Sequence, residues 1–238
     1  LKLFSERNKL FFRFIKGDLS NNDDLDRVFK NHEESKTNNK SSNIDIVINL
    51  AAQAGVRYSI DNPFAYLNSN IVGFLNIIEL CRKFKVKGLI YASSSSVYGN
   101  SKNSIYSPKD IVNKPISLYA ASKISNELIA YTYSHLYSLN TTGLRFFTVY
   151  GPMGRPDMAY YKFTNKIFLN KKIDVYNSGK MKRDFTYISD IIQGIISAMK
   201  FNYKCEIFNL GNNSSRKLMD LINYIELKLN KKAKINFL

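Results

Sequence analysis

"KGLIYASSSS", residues 87–96, runs from an unbroken apolar stretch straight into four serines. An uninterrupted apolar run of this length, without the alternation of a half-exposed strand, reads as a strand covered on both faces. "IDIVINLAA" (44–52) reads the same way, and "TTGLRFFTVYG" (141–151) reads as a further strand, stopped by "GPMG". Between them lie helical patterns, "NPFAYLNSNIVGFLNIIELCRKFKV" (62–86), with Pro63 near its start, and "SLYAASKISNELIAYTYSHLY" (117–137). Strand alternating with helix predicts an α/β fold, a doubly wound parallel Rossmann-type sheet with right-handed crossovers and helices on both faces. Ligands of such sheets gather at the carboxyl ends of the strands, where "NLAAQAG", "SSSS" and "TVYG" all fall.

Upstream, "LFFRFIKGD" (10–18) is expected as a strand, and "SNNDDLDRVFK" (20–30) as a helix capped by serine or asparagine. "NHEESKTNNKSSN" (31–43) is polar and aperiodic, an exposed loop. Downstream of residue 151 the pattern is less regular. Helix is expected over 159–170, strand over 172–176, a strand edge running into helix over 183–200, strand over 205–211 and an amphipathic helix over 214–230. The division expected is therefore 1–151 as a partial dinucleotide-binding domain and 152–238 as a smaller, partial substrate-binding region.

A chain of 238 residues, 45% hydrophobic, can bury a sizeable core. No uninterrupted apolar run approaches the roughly 18 to 20 residues that span a bilayer, and the chain start lacks a signal-peptide pattern; the expectation is a cytoplasmic protein with no membrane partner. Cys81 and Cys205 lack metal spacing and sit in apolar surroundings, which predicts buried reduced thiols, and with two histidines and no acidic cluster no metal site is expected. The formal net charge of +16 is spread along the chain as lysines among asparagines. Nucleic-acid binding would want those cations clustered, so no nucleic-acid partner is expected; a small polyanion remains compatible with the charge.

The chemistry lies in the serines and in "SLYAASK" (117–123). Tyr119 and Lys123, one helical turn apart, share a face, and an ammonium beside a phenol favours the phenolate, making the tyrosine an acid or base near neutrality. The spacing alone is weak, since Tyr98 and Lys102, Tyr176 and Lys180, and Tyr224 and Lys228 repeat it. Tyr119 alone opens a helix behind a strand that ends in hydroxyls, so that Ser94 can hydrogen-bond the oxygen that Tyr119 deprotonates.

From "DIVINLAAQAGVRYS" through "YASSSSVYG", "SLYAASK", "LRFFTVYGPMGRPDMA" and "MKRDFTYISD", the chain resembles the extended short-chain dehydrogenase/reductases, the NAD-dependent epimerase/dehydratase family, and most closely its UDP-glucuronate 4-epimerase branch. The resemblance implies Tyr119 as catalytic base and acid, Lys123 as the residue that lowers its pKa and binds the nicotinamide ribose, and Ser94 as the third catalytic group. It places Asp18 and Leu19 beside adenine; Ala51, Ala52 and Gln53 under the cofactor; and Asn70 and Phe147 near it. Arg155 and Arg183 match arginines of the substrate cleft, Tyr176 an aromatic that stacks on uracil, and Arg57 is a further candidate for substrate contact. The reaction implied is redox-neutral: NAD takes the hydride of the sugar C4, the 4-keto sugar turns over, and the hydride returns to the other face. Ser95 and Ser96 stand where dehydratases carry an acidic pair, and with Thr148 they are expected to hold a substrate carboxylate. A homodimer through a four-helix interface is a further implication. The alternatives are another nucleotide-sugar epimerase or dehydratase, and a non-catalytic protein that keeps the fold without cofactor. One departure stands out: the family's glycine-rich turn is missing, Gly17 being the first glycine, so the first βαβ unit is expected to be incomplete and the chain truncated at both ends.

Overall fold

The structure, a computed structural model, describes residues 14–34, 44–101 and 105–238, with the backbone alone over 31–34. Along the chain come α1 (Asn22–Glu34), β1 (Ile46–Asn49), α2 (Tyr58–Asp61), α3 (Pro63–Tyr66), a π-helical segment (Leu67–Val72), α4 (Gly73–Lys83), β2 (Gly88–Ser94) and a 3₁₀ turn (Ser95–Tyr98). These are followed by α5 (Leu118–Tyr137), β3 (Thr141–Phe146), β4 (Thr148–Tyr150), α6 (Ala159–Phe168), β5 (Lys172–Val175), β6 (Lys182–Tyr187), α7 (Ile188–Phe201), β7 (Cys205–Leu210), β8 (Ser215–Lys217), α8 (Leu218–Leu229) and β9 (Lys234–Phe237).

The central sheet has the order β1-β2-β3-β7, and every pairing is parallel. β2 shows why its sequence is apolar throughout. Leu89 and Tyr91 pack into one cluster with Phe29 of α1, Phe74 and Ile78 of α4 and Ala130 of α5. Ile90, pointing the other way, joins Leu144 of β3 and Ile191 and Ile195 of α7. Helices thus cover both faces, as the sequence predicts. Fully burying one aliphatic side chain of this kind is worth about 1.5–3 kcal/mol, so the two-faced strands supply much of the stability.

A third cluster, with Ile167 of α6, Ile173 and Val175 of β5 and Ile222 of α8, forms the core of the smaller C-terminal part. Its strands make a three-stranded sheet, β4-β6-β8, and a parallel β5-β9 pair. α7 and β7, although beyond residue 151, return to the first sheet, so the chain crosses between the two regions more than once.

Several local expectations change. Residues 14–18 form no strand, and residues 10–13 of that predicted strand lie outside the described residues. Asn21 is the cap of α1, its side chain accepting from the amides of Asp23 and Asp24. α1 continues to Glu34, into the segment read as loop; 35–43 lie outside the description. The single helix expected over 62–86 is a chain of three segments with a π turn in the middle, and strand 141–151 breaks at Phe147, where the backbone leaves the first sheet for the second. β8 occupies the start of the helix expected over 214–230, and β9 was not foreseen. Taken whole, Pro63–Lys83 is long and apolar enough to cross a membrane by length and composition, but its inner face packs in the core, as a core helix does.

Candidate active site

A cavity of ≈ 340 Å³ lies where β1, β2 and β3 end, and Ala52, Ser94, Tyr119, Lys123, Phe147 and Arg155 all line it. The pleat divides the serines of β2. Ser93 turns into the core and donates to Glu127 Oε1 at 2.6 Å, whereas Ser94 caps the following turn, accepting from Ser96 N at 3.1 Å and donating to Ser96 Oγ at 3.1 Å. α5 begins at once behind this edge because Ser117 caps it, accepting from Ala120 N at 3.1 Å. Tyr119 and Lys123 therefore sit on its first two turns.

Lys123 is only 5% exposed. Its Nζ donates to the carbonyl oxygen of Ala92 at 2.8 Å and lies 6.0 Å from the centre of the Tyr119 ring. Removal from water pushes its pKa from 10.5 down to about 8. The Tyr119 phenol is also shifted by burial, upward from its ordinary value, while the Ser94 hydroxyl and then the Arg155 charge pull it back. The expectation of a phenol held below its free value is thus corrected: desolvation wins, and the groups that oppose it are Ser94 and Arg155 rather than Lys123.

Arg155 is paired with Asp157, its Nε donating to Oδ1 at 2.9 Å, and this pairing first, then the nearby phenols of Tyr119 and Tyr66, raises its pKa against desolvation. Asn70 does not line the cavity but works behind it. Its Oδ1 accepts from Gln53 N at 2.7 Å and its Nδ2 donates to Gln53 O at 3.0 Å and to Ser122 Oγ at 2.9 Å, clamping the loop that follows β1 onto α5. The π turn turns Asn70 inward, and Asn126 Nδ2 secures its carbonyl at 2.7 Å. Ala51 is exposed beside Ala52. Asp18 accepts from the amide and hydroxyl of Ser20, which hold its carboxyl below the usual range. Leu19 packs on Gly73, where a Cβ would come within 2.9 Å of its own, so only glycine lets this loop lie on the helix.

The remaining candidates sit apart from the cavity lining. Ser95 and Ser96 form the half-buried turn after β2, and Thr148 opens β4 opposite Phe185. Arg57 stacks 3.8 Å over the Tyr176 ring, joining the loop after β1 to the end of β5. Arg183 is exposed and donates to Lys182 O at 3.0 Å. Among the described residues no three His, Cys, Asp or Glu side chains gather into a metal site.

Tyr66, fully buried, was missed by sequence reasoning. Its hydroxyl donates to Gly55 O at 2.5 Å and its ring meets Tyr119 edge to face at 6.2 Å, so it sets both the loop and the catalytic candidate. One tyrosine among 16 gives no signal by itself.

Residues 2–211 match the NAD dependent epimerase/dehydratase family. An uncharacterized protein of Methanocaldococcus jannaschii is 54% identical over 227 residues, covering 95% of this chain and 67% of that protein. UDP-glucuronate 4-epimerase 4 of Arabidopsis thaliana is 42% identical over 250 residues; the match takes in 98% of this chain and 54% of the plant protein, about half its length. The crystal structure of UDP-glucuronic acid 4-epimerase from Bacillus cereus, in complex with UDP-glucuronic acid and NAD, superposes with a TM-score of 0.83 at 33% identity, covering 95% of this chain and 68% of that one. The parallel sheet, the hydroxyl, tyrosine and lysine at its carboxyl edge and these matches agree, and the chain belongs to the NAD dependent epimerase/dehydratase family.

Proposed function

We propose that the protein is a nucleotide-sugar 4-epimerase that interconverts UDP-glucuronate and UDP-galacturonate with NAD. The observation that carries this is the convergence of Ser94, Tyr119 and Lys123 on one cavity at the strand ends. The likeness to UDP-glucuronate 4-epimerases supports the choice of sugar.

Lys123 supports a fit to NAD. An ammonium has three N–H donors, and among the described residues one is used, on Ala92 O, which leaves two buried donors at the cavity for ribose hydroxyls. Tyr119, Ala52 and Phe147 would lie along the nicotinamide side, with Ala51 and Gln53 on the loop that Asn70 clamps, and with Asp18 and Leu19 toward adenine. NAD, when bound, supplies reversible hydride acceptance and donation at C4 of the sugar. Tyr119 accepts the proton of the 4-hydroxyl at its phenol oxygen and returns it when the sugar presents its other face. Ser94, its hydroxyl turning from Ser96 Oγ, would donate a hydrogen bond to the sugar oxygen that Tyr119 deprotonates, and Arg155 would stabilise the phenolate across the cavity. Ser95, Ser96 and Thr148 would hold the uronate carboxylate by hydrogen bonds, keeping a β-keto acid out of the geometry that releases carbon dioxide. Arg57, Tyr176 and Arg183 would serve the nucleotide end. A second copy of the chain would pack on the exposed apolar side chains of α3, α4 and α5, among them Phe64, Leu75, Leu128 and Tyr131.

Incubation of the full chain with UDP-glucuronate and NAD, followed by chromatography or NMR, tests this. UDP-galacturonate should form, and Tyr119→Phe should lower the rate by about 10²–10⁴-fold while the fold persists. Absence of product from the unmodified chain, or undiminished turnover by the variant, would overturn the proposal.

A further inference from the structure

Folding gathers charge that the linear sequence spreads out. α6 runs into β5 and α8 into β9 through short connections, and β5 and β9 pair in parallel, so both helices end, and both strands begin, at one end of the smaller C-terminal part. Lys231, just past α8, ties the helix ends together: its Nζ donates to Phe168 O at 2.6 Å and lies 5.0 Å from the centre of the Phe168 ring. Lys171, Lys172, Lys231, Lys232 and Lys234 belong to the connections and the strand starts, and Lys228 stands on the last turn of α8. Lys172 faces Lys234 across the strand pair.

The acids beside them are already engaged. Glu226 accepts from Ala233 N at 2.7 Å and pairs with Lys232 at 3.0 Å, while Asp174 accepts from Asn236 Nδ2 at 3.1 Å and pairs with Lys166 at 3.4 Å. Among the described residues Lys171, Lys172, Lys228 and Lys234 have no ion pair. The negative ends of two helix dipoles favour cations here, but that effect stops within a turn and gives no reason to oppose two lysines on paired strands. Amid the lysines the surface is apolar: Phe168 is 57% exposed, Leu169 49% and Leu227 76%. Tyr224, Leu227 and Lys228 share the outer face of α8, opposite the core residues Ile222 and Ile225. Scattered singly such side chains need no explanation, but ringed by ammonium groups they form an amphipathic patch.

We propose that this end of the protein docks on an anionic lipid surface. Phe168, Leu169 and Leu227 enter the boundary between headgroups and acyl chains, and the lysines reach the lipid phosphates around them. A nucleic acid complements the same charge and could stack on the rings, but it has no use for exposed leucines. The proposal departs from the expectation of no membrane partner, which rested on cations being spread along the chain. It is independent of the sugar that the enzyme takes. α6 starts beside Met158 and Tyr160 of the cavity and its ten residues span about 15 Å, so docking at its far end leaves the cavity lining untouched.

The test is co-sedimentation of the full chain with vesicles of phosphatidylcholine alone and of phosphatidylglycerol and phosphatidylcholine in equal amounts, across a salt series. The protein should bind the anionic vesicles, and less as salt rises. Lys171→Ser, Lys172→Ser and Lys234→Ser combined should weaken binding about fivefold per lysine, roughly a hundredfold together. Leu169→Gln with Leu227→Gln should weaken it about tenfold or more at unchanged charge. Lys109→Ser, Lys114→Ser and Lys200→Ser combined remove the same charge elsewhere and should leave most of the binding. No binding to the anionic vesicles, equal loss in the two lysine variants, or full binding by the leucine variant overturns the proposal. Tighter binding to polyuridylate than to the vesicles, unaffected by the leucine substitutions, gives the face to RNA and overturns it as well.

Discussion

At the residue, burial and function pull against each other. The Tyr119 phenol is pushed up by desolvation and pulled back by Ser94 and Arg155, so removing the arginine charge should leave it harder to ionise. In Arg155→Gln the rising, acid-side limb of kcat against pH should move to higher pH, with turnover reduced at pH 7 and recovering in alkali; an unmoved limb would assign the arginine to substrate alone. Lys123 shows the same conflict in stability. Its folded pKa, about 8, lies below the 10.5 of the free side chain, so below pH 8 both states hold the proton and the cost of burying it is complete. Between about 8 and 10.5 the folded state sheds the proton first, and stability rises with pH. Lys123→Met should therefore be more stable at pH 7 by roughly 2 to 3 kcal/mol, an advantage that fades toward pH 10.5, as paired urea titrations would measure. Ser94, Tyr119 and Lys123 were legible in the sequence because helix and strand periodicity bring them together. Arg155's influence on the phenol was not, since a loop residue's distance to a helix is set only by the fold.

Among the elements, β2, β3 and α5 are tied by one buried polar network. Arg145, 2% exposed, donates through Nε to Glu127 Oε1 at 2.9 Å and through Nη2 to Glu127 Oε2 at 2.8 Å, and through Nη1 to Tyr98 OH at 3.0 Å. Tyr98 donates in turn to Asn209 Oδ1 of β7 at 2.6 Å, and its ring stacks on Tyr106 at 4.5 Å. The network fastens the segment leading to Ser117 through Tyr106 O, Ser107 O and Pro108 O, and so the start of α5. Glu127→Ala strands a buried cation and should cost about 3–5 kcal/mol in urea unfolding; adding Arg145→Met should recover part of that loss. The strands themselves could be read from sequence because burial on two faces demands unbroken apolar runs. The charge of Arg145 was equally visible within "TTGLRFF" (141–147), but its partner was not, because Glu127 belongs to a different element. The π turn was hidden for a similar reason: Asn70 turns inward for Gln53, Ser122 and Asn126, and no local pattern announces them.

On the scale of the whole molecule, α4 and α5 are crossover helices on the same face of the sheet, and their inner sides share one core. Their outer sides stay apolar, with Phe64, Leu67 and Leu75 exposed along the first helical stretch and Leu128 and Tyr131 along α5. Two neighbouring helices from each copy would close these stripes into a four-helix contact with two-fold symmetry, each stripe meeting its own equivalent. Charge works against this. A net +16 on each copy opposes approach at low ionic strength, and salt screens exposed charges beyond about 10 Å at 0.1 M while leaving apolar burial in place. Dimerisation should therefore tighten as salt is raised, the reverse of an association held by ion pairs. Sedimentation across a salt series measures it. Leu128→Glu with Tyr131→Glu should shift the protein to monomer without loss of helical circular dichroism, because both side chains point outward. A chain that stays monomeric at high salt and high concentration, or a double variant that dimerises as well as the original, would place the contact elsewhere.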